Sequence, residues 1–249
     1  MHVVKNFLRL AGSYRMLKRL RISIFLFIGL LVLAVAPLQA LGPYLGNNAP
    51  NALLLLPPPP LPGSVEDLAD RDATYRIFCN STPEQFALGM EQQRLTIFHL
   101  TASVGPWFKA GKFPKTEALF KQITDESFLV SRPIKLVWKR QRPYITDPAR
   151  FSKVIEPDPN PTPTYPSGHA TRATLYAQIL AEIFPEQRDA IMTKANESGW
   201  LRVQGGVHTP LDIYAGRTLG QAIAQAFLRS PEFQRDLAEV KAEIAAGKP

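Results

Sequence analysis

The sequence predicts an all-α fold, a single-domain helical bundle, and three observations carry that prediction. Apolar residues recur at helical spacing, as in Leu175, Ile179 and Ile183 and again in Leu219, Ile223 and Phe227. Period-two runs of β-branched residues, the mark of half-buried strands, are absent. Proline, glycine and short polar residues divide the chain into segments of helical length.

Taken in order, residues 1–40 read as a signal peptide. They hold Lys5, Arg9, Arg15, Lys18, Arg19 and Arg21 without an acid, then the apolar run Ile22 to Ala36, then Pro37-Leu38-Gln39-Ala40 with a small residue at the cleavage position. The run is about 15 residues, short of the roughly 20 that a spanning helix requires, which favours a cleaved leader and a periplasmic protein. An uncleaved inner-membrane anchor is the alternative. Residues 41–63 run through Pro57-Pro58-Pro59-Pro60-Leu61-Pro62-Gly63, lack donors and helical freedom, and are expected to be an extended spacer. Ser64 then offers a helix cap before Val65-Glu66-Asp67, whose acids suit a helix N-terminus. Helices are expected over roughly 65–79, 83–103, 115–130, 133–141, 167–184, 186–198, 209–228 and 231–246. A Pro-rich loop from Pro157 to Pro166 separates two helical sets of one domain, 64–249, and no internal repeat is visible.

The composition is 45% apolar, enough for an ordinary globular core in a domain of this length. The net charge of +8 suggests an acidic partner until its distribution is considered. The six basic residues of the leader removed from 29 leave 23 against 21 acids, about +2, so no nucleic-acid partner is expected. Membrane contact is expected only if the leader stays attached, and homo-oligomerisation is left open. Cys79 is the only cysteine, so no disulfide forms within the chain and cysteine-rich zinc sites are excluded. The four histidines, His2, His99, His169 and His208, show no close metal-ligand spacing, and no metal or other cofactor is expected.

Three stretches carry residues suited to phosphate chemistry. In the first, Lys135 and Arg142 lie seven apart, nearly two helical turns, so an ammonium and a forked guanidinium share one face. In the second, Tyr165-Pro166-Ser167-Gly168-His169, Ser167 can cap a helix, Gly168 lets a ligand approach the free amides, and His169 can protonate a leaving oxygen. In the third, running from Arg202 to Asp212, His208 and Asp212 are four apart. The carboxylate can then hold one imidazole nitrogen while the other attacks. Taken alone, these stretches are better read as a solvated basic helix, a capped helix with a surface histidine, and a stabilising histidine-carboxylate pair. Together they supply three cations, an amide-rich turn and two histidines, the inventory of a phosphoryl-transfer site.

Lys135-x6-Arg142-Pro143, Pro166-Ser167-Gly168-His169 and Arg202-x5-His208-x3-Asp212 resemble, in order, the three signatures of the type 2 phosphatidic acid phosphatase and vanadium haloperoxidase superfamily. Leu55-Leu56 with the four following prolines, Pro62-Gly63-Ser64 and Asp72-Ala73-Thr74-Tyr75 resemble the start of bacterial class A nonspecific acid phosphatases, so the likeness covers about residues 53–228. It implies a metal-independent acid phosphatase acting on small-molecule phosphomonoesters through a phosphohistidine. On this resemblance Lys135, Arg142 and Arg202 bind phosphate, with Ser167 and the Gly168 amide assisting. His208 is the nucleophile, Asp212 orients it, and His169 protonates the leaving alcohol and later activates water. Leu201 departs from the pattern, which has serine before the arginine. The rivals are a vanadate-dependent haloperoxidase using the same anion site and a noncatalytic anion-binding protein. The second explains the cations but not the two histidines with Asp212. A membrane lipid phosphatase is disfavoured because the signature segments contain no long apolar span.

Overall fold

The computed structural model describes residues 42–155 and 157–249; the expected leader lies outside the described residues. The described part is all-α, as the apolar periodicity predicts. Its helices are α1 (Gly42–Leu45), α2 (Ala52–Leu55), α3 (Val65–Cys79), α4 (Pro83–Glu91), α5 (Pro114–Trp138), α6 (Pro143–Thr146), α7 (Gly168–Ile183), α8 (Arg188–Gln204), α9 (Pro210–Leu228) and α10 (Pro231–Gly247).

Helix α7 occupies the centre and buries Ala173, Leu175, Ala177, Ile179 and Leu180 almost completely, packed between α8 and α9. The approach of α9 is set by Gly216 and Gly220. A Cβ at either position would sit 2.5 Å from a carbonyl of α7 or its cap, Ser167 in one case and Thr171 in the other. Backbone therefore lies against backbone here, which only glycine permits. The same contact lets the Ser167 N–H donate to the Asp212 carbonyl at 2.9 Å, fixing the second and third sequence stretches to each other.

The helix starts are legible in chemical terms. Ser64 caps α3, Ser167 caps α7 and Thr209 caps α9, each hydroxyl accepting from a backbone N–H in the first turn. At Thr209 the cap is reciprocal, because the Asp212 carboxylate accepts from the Thr209 N–H at 2.9 Å.

Four boundaries differ from the sequence reading. Helix α4 stops at Glu91 rather than running to 103, and two 3-10 turns follow, at Gln92–Arg94 and Ile97–His99. The turns aim Leu95, Ile97 and Leu100 into the core, which a continuous helix would splay around its axis. The two helices expected over 115–130 and 133–141 are one helix, α5, with Pro133 inside it. Pro133 lies on the exposed side, and the buried stripe Ile123, Val130 and Ile134 runs past it. Burial of that stripe offsets the lost backbone bond. Helix α8 runs past 198 to Gln204, because Gly199 packs against Ala170 and Ile213 instead of ending the helix. Finally, the segment expected to be an extended spacer holds two short helices, Gly42–Leu45 and Ala52–Leu55, with a 3-10 turn at Gly46–Asn48. Tyr44 packs edge-on against Phe227 and Phe233, and the Glu126 carboxylate accepts from the backbone N–H groups of Tyr44 and Leu45. Pro57 to Pro60 carry no helix, in keeping with their missing donors.

Candidate active site

The long helix α5 ends at Trp138, and Lys139 takes a left-handed conformation (φ 47°) that turns the chain inward. Arg140 is thereby buried, with Lys135 behind it on the helix and Arg142 ahead of it. The third stretch is shaped by the end of α8. The carbonyl of Arg202 accepts from the N–H groups of Val207 and His208, at 3.0 and 3.2 Å. Gly206 makes the turn with a φ of 76°, and a Cβ there would press on Phe78 and Phe151 at 3.1 Å. That turn delivers His208 to the start of α9.

Six of the eight residues expected from the sequence line one cavity of about 260 Å³: Lys135, Arg142, Gly168, His169, Arg202 and His208. The other two stand behind it. Ser167 is fully buried, and its Oγ accepts from the Ala170 N–H at 3.2 Å, so it serves as a helix cap beneath the site. Asp212 is fully buried beside His208.

The hydrogen-bond pattern around His208 assigns its tautomer. Asp212 Oδ2 accepts from Thr164 Oγ1 at 2.6 Å and from the Thr209 N–H at 2.9 Å, and lies 3.3 Å from His208 Nδ1. Thr164 Oγ1 is also 2.8 Å from Nδ1. Since the threonine hydroxyl gives its proton to the carboxylate, Nδ1 must carry the hydrogen it shares with Thr164 and Asp212. Nε2 then keeps its lone pair, on the side of Arg142 Nη1, which is 3.5 Å away.

Burial pushes the His208 imidazole down to about 3, and Arg142 and Lys135 add to the shift against the opposing pull of Asp212. Burial, then Arg202 and Arg172, also hold His169 well below the ordinary histidine range. Burial, followed by the charge of Arg142, lowers the Lys135 ammonium to about 7, although its Nζ donates to the carbonyls of Pro163 (2.7 Å) and Thr164 (3.2 Å). Burial alone would raise Asp212. Its hydrogen bonds, first that with His208, and the charge of Arg140 more than offset this and hold it below the carboxylate range.

Sequence reasoning missed three residues that organise this site. Arg140 donates from Nη1 to Asp212 Oδ1 (3.1 Å) and Thr209 Oγ1 (2.9 Å), and from Nη2 to Asp67 (2.9 Å) and Asp70 (2.8 Å). It fixes the far side of the Asp212 carboxylate. Thr164 links that carboxylate to His208. Ser198 places its Oγ 3.1 Å from His169 Nε2. The signal for Ser198 was its i, i+4 spacing to Arg202, which shares a face only if α8 continues past Gly199. Leu201, at the position where the family pattern has serine, is buried against Gly89 and lines a separate cavity between α4, α8 and α9. The hydroxyl next to His169 belongs to Ser198, one turn before Leu201 on α8.

An all-α scaffold with neutral histidines, a buried carboxylate behind one of them and cations around their cavity defines a phosphoryl-handling enzyme. Residues 123–236 match the model of the PAP2 superfamily. The chain is 30% identical over 215 residues to the non-specific acid phosphatase of Providencia stuartii, covering 81% of this chain and 84% of that one. It is 26% identical over 202 residues to the non-specific acid phosphatase of Salmonella typhimurium, covering 78% and 80%. It is likewise 26% identical over 204 residues to the acid phosphatase of Zymomonas mobilis, covering 78% and 75%. The chain belongs to the PAP2 superfamily and, within it, to the bacterial class A acid phosphatases.

Proposed function

We propose that the protein is an exported, metal-independent acid phosphatase that cleaves small-molecule phosphomonoesters through a phosphohistidine at His208. The observation that carries this reading is the pairing of His208 Nδ1 with Thr164 and Asp212, which leaves Nε2 as a lone-pair donor beside Arg142. In the first step Nε2 attacks phosphorus as the ester P–O bond breaks, and His169 gives a proton to the departing oxygen. In the second, water attacks phosphorus, the N–P bond breaks, His169 takes the water proton, and inorganic phosphate leaves. Lys135, Arg142 and Arg202 hold the phosphoryl oxygens, where charge grows in each transition state. The cations that depress His169 include Arg202, which a bound phosphoryl dianion would neutralise, so substrate binding itself restores the proton His169 must give.

Rapid-quench labelling of the purified protein with a radioactive aryl phosphate tests the scheme. An acid-labile, base-stable adduct on His208, unaffected by chelator and lost in His208→Ala, is the expected result. A label on another residue, or normal turnover by His208→Ala, refutes it. Export is tested by the N-terminus of the protein in its native host: cleavage after Ala40 supports it, whereas a chain beginning at Met1 and held in washed membranes shows an anchor.

A further inference from the structure

Three cations suffice to cradle one phosphoryl group, yet five line the cavity. Arg132 and Arg172 join Lys135, Arg142 and Arg202 in its wall, and no carboxylate is among the described residues that line it. The two additional arginines come from different helices and meet on one ring. The guanidinium of Arg132 lies 4.8 Å from the centroid of Phe128, and that of Arg172 lies 5.3 Å from it. Phe128 lines the same cavity.

Neither arginine has a hydrogen-bond acceptor or a carboxylate partner among the described residues, and the half-buried Arg172 has its Nε fully enclosed without a partner. Arg172 also stands close enough to Arg202 for their charges to repel. A half-buried guanidinium without a carboxylate partner among the described residues is costly in a folded protein, and an anion beside Arg172 is what would relieve it. Contact with the Phe128 ring restrains both guanidinium groups beside the cavity, where arginine forks can take up phosphate oxygens.

The two arginines also lie further along the helices that build the phosphate cradle. Arg132 precedes Lys135 by three residues on α5, about 4.5 Å along the axis, and Arg172 follows Gly168 by four on α7, about 6 Å. We infer that Arg132, Arg172 and Phe128 form a second anion subsite, which selects phosphomonoesters whose leaving group carries another phosphate a few atoms from the ester oxygen. The inference rests on the phosphatase reading of the main site and gives that site a substrate class.

The test compares kcat/KM for propane-1,3-diol bisphosphate and for propyl phosphate in the wild type, Arg172→Gln and Arg132→Gln. Wild type is expected to prefer the bisphosphate by at least about tenfold, well above the roughly twofold that two equivalent phosphates give by themselves. In Arg172→Gln that preference should fall to about the statistical twofold, and in Arg132→Gln, whose side chain is exposed, it should drop by about twofold to threefold. Raising the salt concentration should erode the preference without erasing turnover of propyl phosphate. A wild-type preference near twofold, or variants that lose activity on both esters in the same proportion, refutes the subsite while leaving the main-site reading intact. A wild type that hydrolyses neither ester overturns both.

Discussion

Replacing Arg140 by leucine should cost the fold about as much as any single change outside the hydrophobic core. The side chain is 2% exposed and pairs with three carboxylates, Asp67, Asp70 and Asp212, whose side chains are 0 to 4% exposed. They would not suffer equally. Asp67 retains Arg71 at 2.9 Å and the Gly63 N–H at 3.1 Å. Asp70 keeps only a backbone N–H, from Leu211 at 3.2 Å, and Asp212 keeps Thr164, the Thr209 N–H and a neutral His208. Two buried carboxylates thus lose their charge partner, and removing one side of a buried ion pair costs about 3 to 5 kcal/mol. At about 4 kcal/mol and about 2 to 4 °C per kcal/mol for a domain of this length, the melting temperature should drop by about 8 to 16 °C. The sign with pH follows from Asp212, which Arg140 helps to hold below the ordinary carboxylate range. In the variant its folded-state pKa rises, so the deficit should be largest at neutral pH and shrink as pH falls through the carboxylate range. Thermal denaturation followed by circular dichroism from pH 4 to 8 reads both effects. A drop below about 3 °C, or a deficit that grows on acidification, would show that Arg140 does not neutralise these carboxylates.

Three further outcomes follow from the geometry. Lys135, lowered to about 7, is charged below that pH and loses its attraction for phosphate above it. In Lys135→Arg the alkaline limb of kcat/KM should therefore move up by more than about one pH unit, and a limb that stays in place assigns it to another group. Ser198→Ala should slow alkyl phosphates about tenfold and activated aryl phosphates much less, because it acts through the leaving-group acid His169; equal losses on both would make Ser198 a packing residue only. Gly216→Ala forces a Cβ to 2.5 Å from the Ser167 carbonyl and should destabilise by about 1 to 3 kcal/mol while lowering kcat, since α7 carries His169 and α9 carries Asp212 behind His208; unchanged urea denaturation and rates would mean the helices can part freely.

Helices with strong local signals were legible from the sequence: α3, α7, α9 and α10 begin within a residue of their expected starts, and Ser64 and Ser167 were readable as caps, while the structure adds Thr209 and Ser230 in the same role. Boundaries decided by tertiary burial were not. Pro133 reads as a break in isolation, and only the core beneath α5 shows why the helix continues. Gly199 reads as an end, and only its packing against α7 and α9 shows why α8 carries Arg202. The site divides the same way. Its motif residues could be found because their chemistry is confined to short spacings, as in His208 and Asp212. Arg140 could not be separated from the basic run around it, since its carboxylates come from 70 or more residues away. Thr164 and Ser198 are polar residues of a common kind whose meaning lies wholly in the atom opposite them.

The electrostatics of the cavity bear on how the proposed histidine nucleophile would suit an acid phosphatase. At an acidic working pH an imidazole with its ordinary value near 6.5 would be mostly protonated and unable to attack. Bringing Asp212 beside His208 makes this worse, because a carboxylate stabilises the imidazolium. Burial, Arg142 and Lys135 act in the opposite direction and prevail, taking His208 to about 3. On the proposed mechanism the cations therefore have two consequences from one placement: before substrate arrives they keep Nε2 unprotonated, and once it arrives they would hold the phosphoryl oxygens. Charge removal at Arg142 should accordingly do more than weaken binding. In Arg142→Gln the acid limb of kcat/KM should move up toward neutrality as His208 regains affinity for a proton, whereas a residue that only binds phosphate would lower the profile without shifting it. A pH profile of that variant lowered in parallel at every pH would place the acid limb on the substrate rather than on His208.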